Sequence, residues 1–423
     1  MKRTCLTIAL AIGLIAVGFA GLATTGYAEE DSRDVFFAAK GLPYGFDAAL
    51  PEIHGFLSSQ FWNVGRHVQG YYADGTSAAN ASGESTFLPQ SFYVDIIAEI
   101  TPTVLVEGEF ELYHGSSVKP CAQRVLWHPS MQFNLSIGRQ FVMLGSQEKV
   151  YYPTSTYRFF TWQPYLYERF LRFTGWWDAG ICAAGRYWLM EDSDMFLEYG
   201  LMISNGPGDL GSNTQYTSSG STYTQLMNSS GYVYEQFNSA RQSYDNNDDK
   251  ALSWRLGFSP FEGLLWRIEA MTGKYDTNDK YDFTYLTSEL FYTTGRLDSM
   301  IGLLQLDFDA PADTGSRSVK WPGGTVTQQT YYISAGYKVL DKEMGINFVQ
   351  PVIRYQWCNP NVDAPSSVSQ YEGYGKRSSF DLGVNFSPWE HVLFRAAYRW
   401  QDIIKGPAGL DGDGFTMEAV VDF

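Results

Sequence analysis

Apolar and polar positions alternate with a period of two along most of the chain, in runs of about ten residues separated by turn residues. That is the pattern of strands whose two faces meet different surroundings. Ser91 to Ile100 is the clearest case. Phe92, Val94, Ile96, Ala98 and Ile100 fall on one face, while Tyr93, Asp95 and Glu99 fall on the other. Thr101-Pro102 turns the chain, and Thr103 to His114 returns with Val104, Val106, Phe110 and Leu112 opposite Glu107, Glu109 and Glu111. So short a connection between two alternating runs predicts a hairpin.

The same reading gives runs at 53–61, 123–127, 131–141, 178–190, 195–205, 250–258, 264–273, 282–292, 297–309, 329–339, 346–357, 378–387, 391–402 and 414–423. With the first hairpin they make sixteen. Residues 62–90 read as a loop, as do the polar stretches at 205–249, 274–281, 310–328, 358–377 and 403–413. The intervening connections, such as 259–263 and 388–390, are short. Short turns at one end and long loops at the other are what a membrane-spanning antiparallel up-and-down β-barrel requires, and an even strand number brings both termini to one side. Closure is needed because an unpaired strand edge has no partner in hydrocarbon. About sixteen strands enclose a lumen wide enough for water.

The ends of the chain fit a barrel. Lys2 and Arg3 precede an apolar run to about Ala23, and small residues at Gly26 and Ala28 fit a signal peptide over 1–28 with Glu29 as the mature start. Residues 29–52 read as a periplasmic lead-in, and 53–423 as the barrel. Cys5 leaves with the signal and lacks the motif of a lipid attachment site. Beyond it no apolar run reaches the roughly twenty residues of a membrane helix. At the other end Phe415, Met417, Ala419, Val421 and Phe423 alternate with Thr416, Glu418 and Asp422. A terminal strand ending in phenylalanine resembles the closing strand of bacterial outer-membrane β-barrels, and the resemblance implies that Phe423 is read by the barrel assembly machinery.

Composition agrees with this picture. Aromatics are 16% of the residues, with 29 Tyr, 28 Phe and 12 Trp, and there are 41 glycines. Such a balance suits strands with one lipid-facing side and aromatic girdles at both interfaces. Formal charge is −16, or −18 once Lys2 and Arg3 depart, which argues against nucleic acid as a partner. Cys121, Cys182 and Cys358 remain, an odd number without CxxC, haem-attachment or zinc spacing. No cofactor or metal is called for, and no disulfide is implied. Asp245 to Asp249 offers hard oxygen ligands for Ca²⁺, or is a solvated loop tip.

One stretch carries a more specific likeness. A strand with Gly138-Arg139-Gln140 and Gly145 leads into a long aromatic segment over 142–177. Asp178-Ala179-Gly180 with Gly185 follows, then a short turn and a strand ending Ser204-Asn205-Gly206-Pro207-Gly208. From Gln123 to Gly208 this resembles the Gram-negative outer-membrane porin superfamily, nearest to its phosphate-selective and related substrate-selective porins. The resemblance implies an inward-folded constriction loop at 142–177, a homotrimer in outer-membrane lipid, and passive passage of small hydrophilic solutes or ions.

With the apolar series toward lipid, the opposite series lines the lumen. That places Asp95, Glu107, Glu109 and Glu111 on early strands and Arg186, Arg255, Arg267, Arg354, Arg395 and Arg399 on later ones. An acidic wall facing a basic wall would set up a transverse field; alternatively, these charges neutralise neighbours on adjacent strands. The loop adds Lys149, Arg158, Arg169 and Arg172 against Glu148 and Glu168. Its tyrosines and Trp162 form either a slide for solutes or the packing of the loop on the wall. The dense cationic ladder of phosphate porins is missing. Two other classes stand beside the porin. A barrel enzyme needs a catalytic histidine, and the five histidines lie in or beside turns and loops or, for His54, on the uncertain first strand, without a G-x-S-x-G elbow. A barrel sheathing a multihaem cytochrome needs no chemistry of its own.

Overall fold

The computed structural model describes residues 51–64, 86–113, 117–167, 176–189, 194–207, 248–275, 279–310, 324–359, 362, 376–403 and 413–423. The expected signal peptide and most of the expected lead-in fall outside these residues, as do Arg169 and Arg172.

The strands are β1 (Glu52–Val64), β2 (Thr86–Thr101), β3 (Val104–Tyr113), β4 (Ser117–Ser130), β5 (Phe133–Phe141), β6 (Trp177–Trp188), β7 (Phe196–Ser204), β8 (Ala251–Ser259) and β9 (Leu264–Lys274). They continue as β10 (Asp282–Thr294), β11 (Leu297–Ala310), β12 (Gly324–Tyr337), β13 (Leu340–Glu343), β14 (Ile346–Asn359), β15 (Arg377–Ser387), β16 (Val392–Ile403) and β17 (Gly414–Asp422). Strands consecutive in the chain pair antiparallel, β12 and β13 excepted, and β1 pairs with both β2 and β17, so the sheet closes. β12 and β13 both pair with β14 and share one place in the barrel, so the seventeen segments fill sixteen places. Sixteen antiparallel strands were expected, and the architecture is a closed sixteen-strand barrel.

The expected faces are the observed ones. Leu57, Phe92, Ile96, Val106, Phe110, Leu201, Ile203, Ile333, Ile353, Leu382, Met417 and Val421 are exposed around the outside, while Asp95, Glu107, Glu109 and Glu111 are buried within. An apolar outer belt on a closed barrel is how strands satisfy both hydrocarbon and their own backbone groups.

The seam is narrow. Gly55 and Phe423 exchange backbone hydrogen bonds, each 2.9 Å long. A Cβ at Gly55 would stand 2.4 Å from the carbonyl oxygen of Tyr93 and 2.5 Å from the Phe423 ring, so the closing strand passes only because a glycine is there. The Phe423 ring centroid lies 6.2 Å from that of Phe92.

Several boundaries differ from the sequence reading, among them that of β12, which starts at Gly324 inside the expected loop 310–328. Part of the expected loop 62–90 is strand: β1 runs to Val64 and β2 starts at Thr86, with the register shifting between Ser58 and Ser59 opposite Pro89. Proline there has no N–H for the ladder, and the extra residue of the bulge beside it breaks the two-residue alternation that reveals a strand. β4 likewise begins at Ser117 and continues through His128-Pro129, where the ladder to β5 skips between Trp127 and Ser130. The expected connection 340–345 mostly pairs as β13, and the turn is confined to residues with positive φ, Met344 at 55° and Gly345 at 76°.

Candidate functional site

The segment after β5 turns into the barrel. Gly145 (φ 69°) and Ser146 (φ 37°) adopt left-handed backbone and lead into a single 3-10 turn, Gln147–Lys149. Two successive amides in such a bend form a concave donor pair suited to an anion. Here the anion is Glu269 of β9, which accepts from Gly145 N–H, from Ser146 N–H at 3.1 Å, from Thr287 Oγ1 at 3.2 Å and from Arg255 Nε at 2.6 Å. The Ser146 hydroxyl adds a fifth donor at 3.4 Å, and a fully buried carboxylate so surrounded is an anchor.

Beyond the anchor the loop touches wall strands on all sides. Tyr151 and Tyr152 donate to Glu111 (3.0 Å) and Glu109 (3.1 Å) on β3. Tyr157 shares a hydrogen bond with Thr293 of β10 at 2.8 Å. Arg395 of β16 donates to Pro153 O, and Arg354 of β14 to Trp162 O at 3.0 Å. Tyr165 N–H donates to Gln356 Oε1 at 2.7 Å, its hydroxyl to Gln401 at 2.9 Å, and the Tyr167 hydroxyl to Glu289. Leu144, Phe160, Trp162, Tyr165 and Leu166 are buried. The described part of the loop, 142–167, therefore spans the lumen, and its aromatic side chains pack on the wall.

The charged residues expected in the lumen form three groups. In the first, Asp95 and Glu109 are cross-strand partners, and the carboxylates of Asp95, Glu107 and Glu109 lie within 4.8 Å of one another. Arg124 of β4 pairs with Glu107, and Ser91 donates to Glu111 at 2.5 Å. Two loop tyrosines, one arginine and one serine thus face these four carboxylates.

The second group is an alternating ladder on β6 to β9. Arg186 stands 4.0 Å from Glu198, Arg267 pairs with Glu198, and Glu148 from the loop bridges Arg267 (2.5 Å) and Arg255 (3.0 Å). Arg255 in turn reaches Glu269. The ring of Phe196 lies 3.9 Å from the Arg186 guanidinium. Lys149 is half-buried, its ammonium 5.5 Å from the Phe291 ring and 5.8 Å from that of Tyr157. Poor solvation there, with Arg267 next in weight, pulls its pKa down to about 8 against the opposing pull of Glu148 and Glu198.

In the third group Arg354 and Arg399 share Asp381 at 2.5 Å and 2.9 Å, and the three side chains are almost completely buried. Phe160 covers Arg354 at 4.6 Å and Trp162 covers Arg399 at 4.5 Å, both rings coming from the loop. Arg395 meets Glu418 at 2.9 Å, Arg158 lies 3.8 Å from the same carboxylate, and Ser58 and Gln60 donate to it.

The lumen is thus not an acidic wall facing a bare basic one. The later arginines each meet a carboxylate, because Glu198, Glu269, Asp381 and Glu418 occupy inward positions on adjacent or next-but-one strands. For the position of the loop, Glu269 on the wall and Glu148 on the loop itself matter most. Glu269 follows from strand alternation, but no sequence pattern tells that Glu148 points back to the wall. Cys121, Cys182 and Cys358 are buried and are not joined in disulfides.

No family model matches the chain, and no curated protein sequence does. Solved structures do. An anion-selective porin from Comamonas acidovorans superposes with a TM-score of 0.54 at 10% identity, covering 88% of this chain and 99% of that one. The outer-membrane channel DcaP of Acinetobacter baumannii gives 0.53 at 8%, covering 88% and 97%. OmpT, an outer-membrane protein of Vibrio cholerae, gives 0.50 at 12%, covering 90% and 99%. At such identities the likeness is one of fold, and the fold of this chain is that of the Gram-negative outer-membrane porins.

Proposed function

We propose that the chain is a passive outer-membrane porin, exported by a signal peptide cleaved before Glu29 and assembled as a homotrimer, through which small hydrophilic solutes or ions diffuse down their gradients. It acts without catalysis. One observation carries the reading: a charged segment is folded into the lumen of a closed barrel and held there by buried ion pairs and hydrogen bonds to opposite walls. A loop on the outside of the barrel would not restrict passage, whereas one anchored across the lumen sets both its width and its field. The ion-paired arginines and the Asp95–Glu111 cluster line that restriction, with Arg169 and Arg172 assigned to it from sequence.

Liposome swelling tests the proposal. Vesicles carrying the folded barrel should swell in isotonic solutions of small sugars or amino acids, at rates that fall with solute size. A variant lacking residues 150–167 should pass larger solutes. Equal impermeability of both would refute a channel narrowed by this loop.

A further inference from the structure

Lys149 is placed unlike the other cations of the restriction. In the ladder that the inward loop completes, Arg186, Arg255 and Arg267 are balanced by Glu148, Glu198 and Glu269. Lys149 follows Glu148 in the loop and adds a positive charge that this ladder leaves uncompensated. Among the described residues its ammonium makes no ion pair and no hydrogen bond. Its neighbours are rings, Phe291 at 5.5 Å and Tyr157 at 5.8 Å.

The polar groups behind the rings are already engaged. The Thr293 hydroxyl donates to Asp298 at 3.0 Å, so the Tyr157 hydroxyl is the donor in its 2.8 Å bond to Thr293. Asp298 in turn meets Lys338 at 3.9 Å and accepts from Gln350 at 2.8 Å. The Lys149 nitrogen itself is open to the lumen, since the side chain is half-buried and the nitrogen is not one of the enclosed polar atoms. Rings on one side and neighbouring cations, Arg267 and Arg186, on the other disfavour the ammonium and leave the neutral amine, which is a nucleophile. With the pKa drawn down to about 8, about half of the chains carry the free amine at pH 8, roughly a hundred times the share of an ordinary lysine.

We infer that Lys149 is a site of reversible covalent capture for small uncharged aldehydes, held as an imine. The amine lone pair attacks the carbonyl carbon to give a carbinolamine. The C–O bond then breaks, C=N forms, and the two amine hydrogens leave with the carbonyl oxygen as water, without oxidation or reduction. An uncharged imine leaves the ladder neutral, and a short alkyl group suits the aromatic side of the site. Capture requires only that the aldehyde reach the amine, so it does not depend on whether the barrel conducts.

Reductive labelling of the detergent-folded barrel with propionaldehyde and cyanoborohydride tests it, the propyl groups being located by peptide mass spectrometry. Lys342, exposed near the end of β13, is the internal reference. At pH 8 Lys149 should be labelled at least about five-fold faster than Lys342 in the folded barrel, and no faster after unfolding in guanidinium. Its rate should level off above about pH 8, while that of Lys342 climbs toward about pH 10. Tyr157→Glu sets a carboxylate beside the nitrogen and should bring the two rates together. Equal labelling in the folded wild type, or rates that rise in parallel with pH, would overturn the site. So would an unchanged ratio in a Tyr157→Glu barrel that keeps the heat-modifiable mobility of the folded state. Fast labelling of Lys149 in a barrel that passes no solute would refute the porin and uphold the capture site.

Discussion

Replacing Glu148 by Gln removes the carboxylate that the described part of the loop contributes to the ladder, and the consequences separate cleanly. Arg255 and Arg267 lose their shared partner but keep Glu269 and Glu198. Charge-assisted hydrogen bonds are worth about 1.5–3 kcal/mol. Because Glu148 is 16% exposed and the amide still accepts, the loss in stability should fall at the lower end of that range. The larger effect is electrostatic: the lumen gains one positive charge where the loop meets the wall. A unit charge about 4 Å from a hydrated ion in a water-filled pore is worth about 1 kcal/mol, or about five-fold in partitioning. Reversal potentials across a tenfold KCl gradient should move toward anion preference by up to that factor, less at high salt where the field is screened. Glu148→Asp, with the charge retained, should stay near wild type. A shift toward cations, or no shift in a variant with unchanged melting, would refute the idea that Glu148 masks these arginines.

Other expectations follow from the same geometry. Gly55→Val should prevent closure of the seam between β1 and β17, seen as loss of the heat-modifiable band on electrophoresis. Asp381→Asn removes the carboxylate charge shared by two buried guanidinium groups and should cost about 3–5 kcal/mol, read as an earlier unfolding midpoint in denaturant. Lys149, its pKa drawn down to about 8 from the ordinary lysine value, binds fewer protons in the folded chain than in the unfolded one between about pH 8 and 10.5. Its contribution to stability therefore rises with pH across that window. Anion preference should fall as pH passes 8, and Lys149→Met should flatten that step.

How much of this was legible in the chain depends on the range of the interaction. Strand alternation is local, so the faces of Ser91–Ile100 and of the terminal strand, and the inward placement of Glu107, Glu109 and Glu111, could be read directly. Where the register shifts beside a proline, at Pro89 and Pro129, strand residues passed for loop because the unpaired residue there breaks the two-residue side-chain pattern, although pairing resumes beyond it. The loop was visible as an aromatic, non-alternating stretch between two strands, but its course was not. Contacts such as Tyr165 with Gln356 and Arg395 with Pro153 join residues about two hundred positions apart, and no periodicity encodes them. The pairing of the arginines was partly open to reading, since inward carboxylates on neighbouring strands were countable, yet register decides which charge meets which.

The central claim, an aqueous path restricted by the inward loop, is tested most directly by single-channel recording of the purified barrel in planar bilayers. Stable conductance steps are predicted, larger after deletion of residues 150–167 and with ion selectivity altered by Glu109→Ala or Arg395→Ala. A correctly folded barrel that gives no steps with the loop present or deleted would contradict the account.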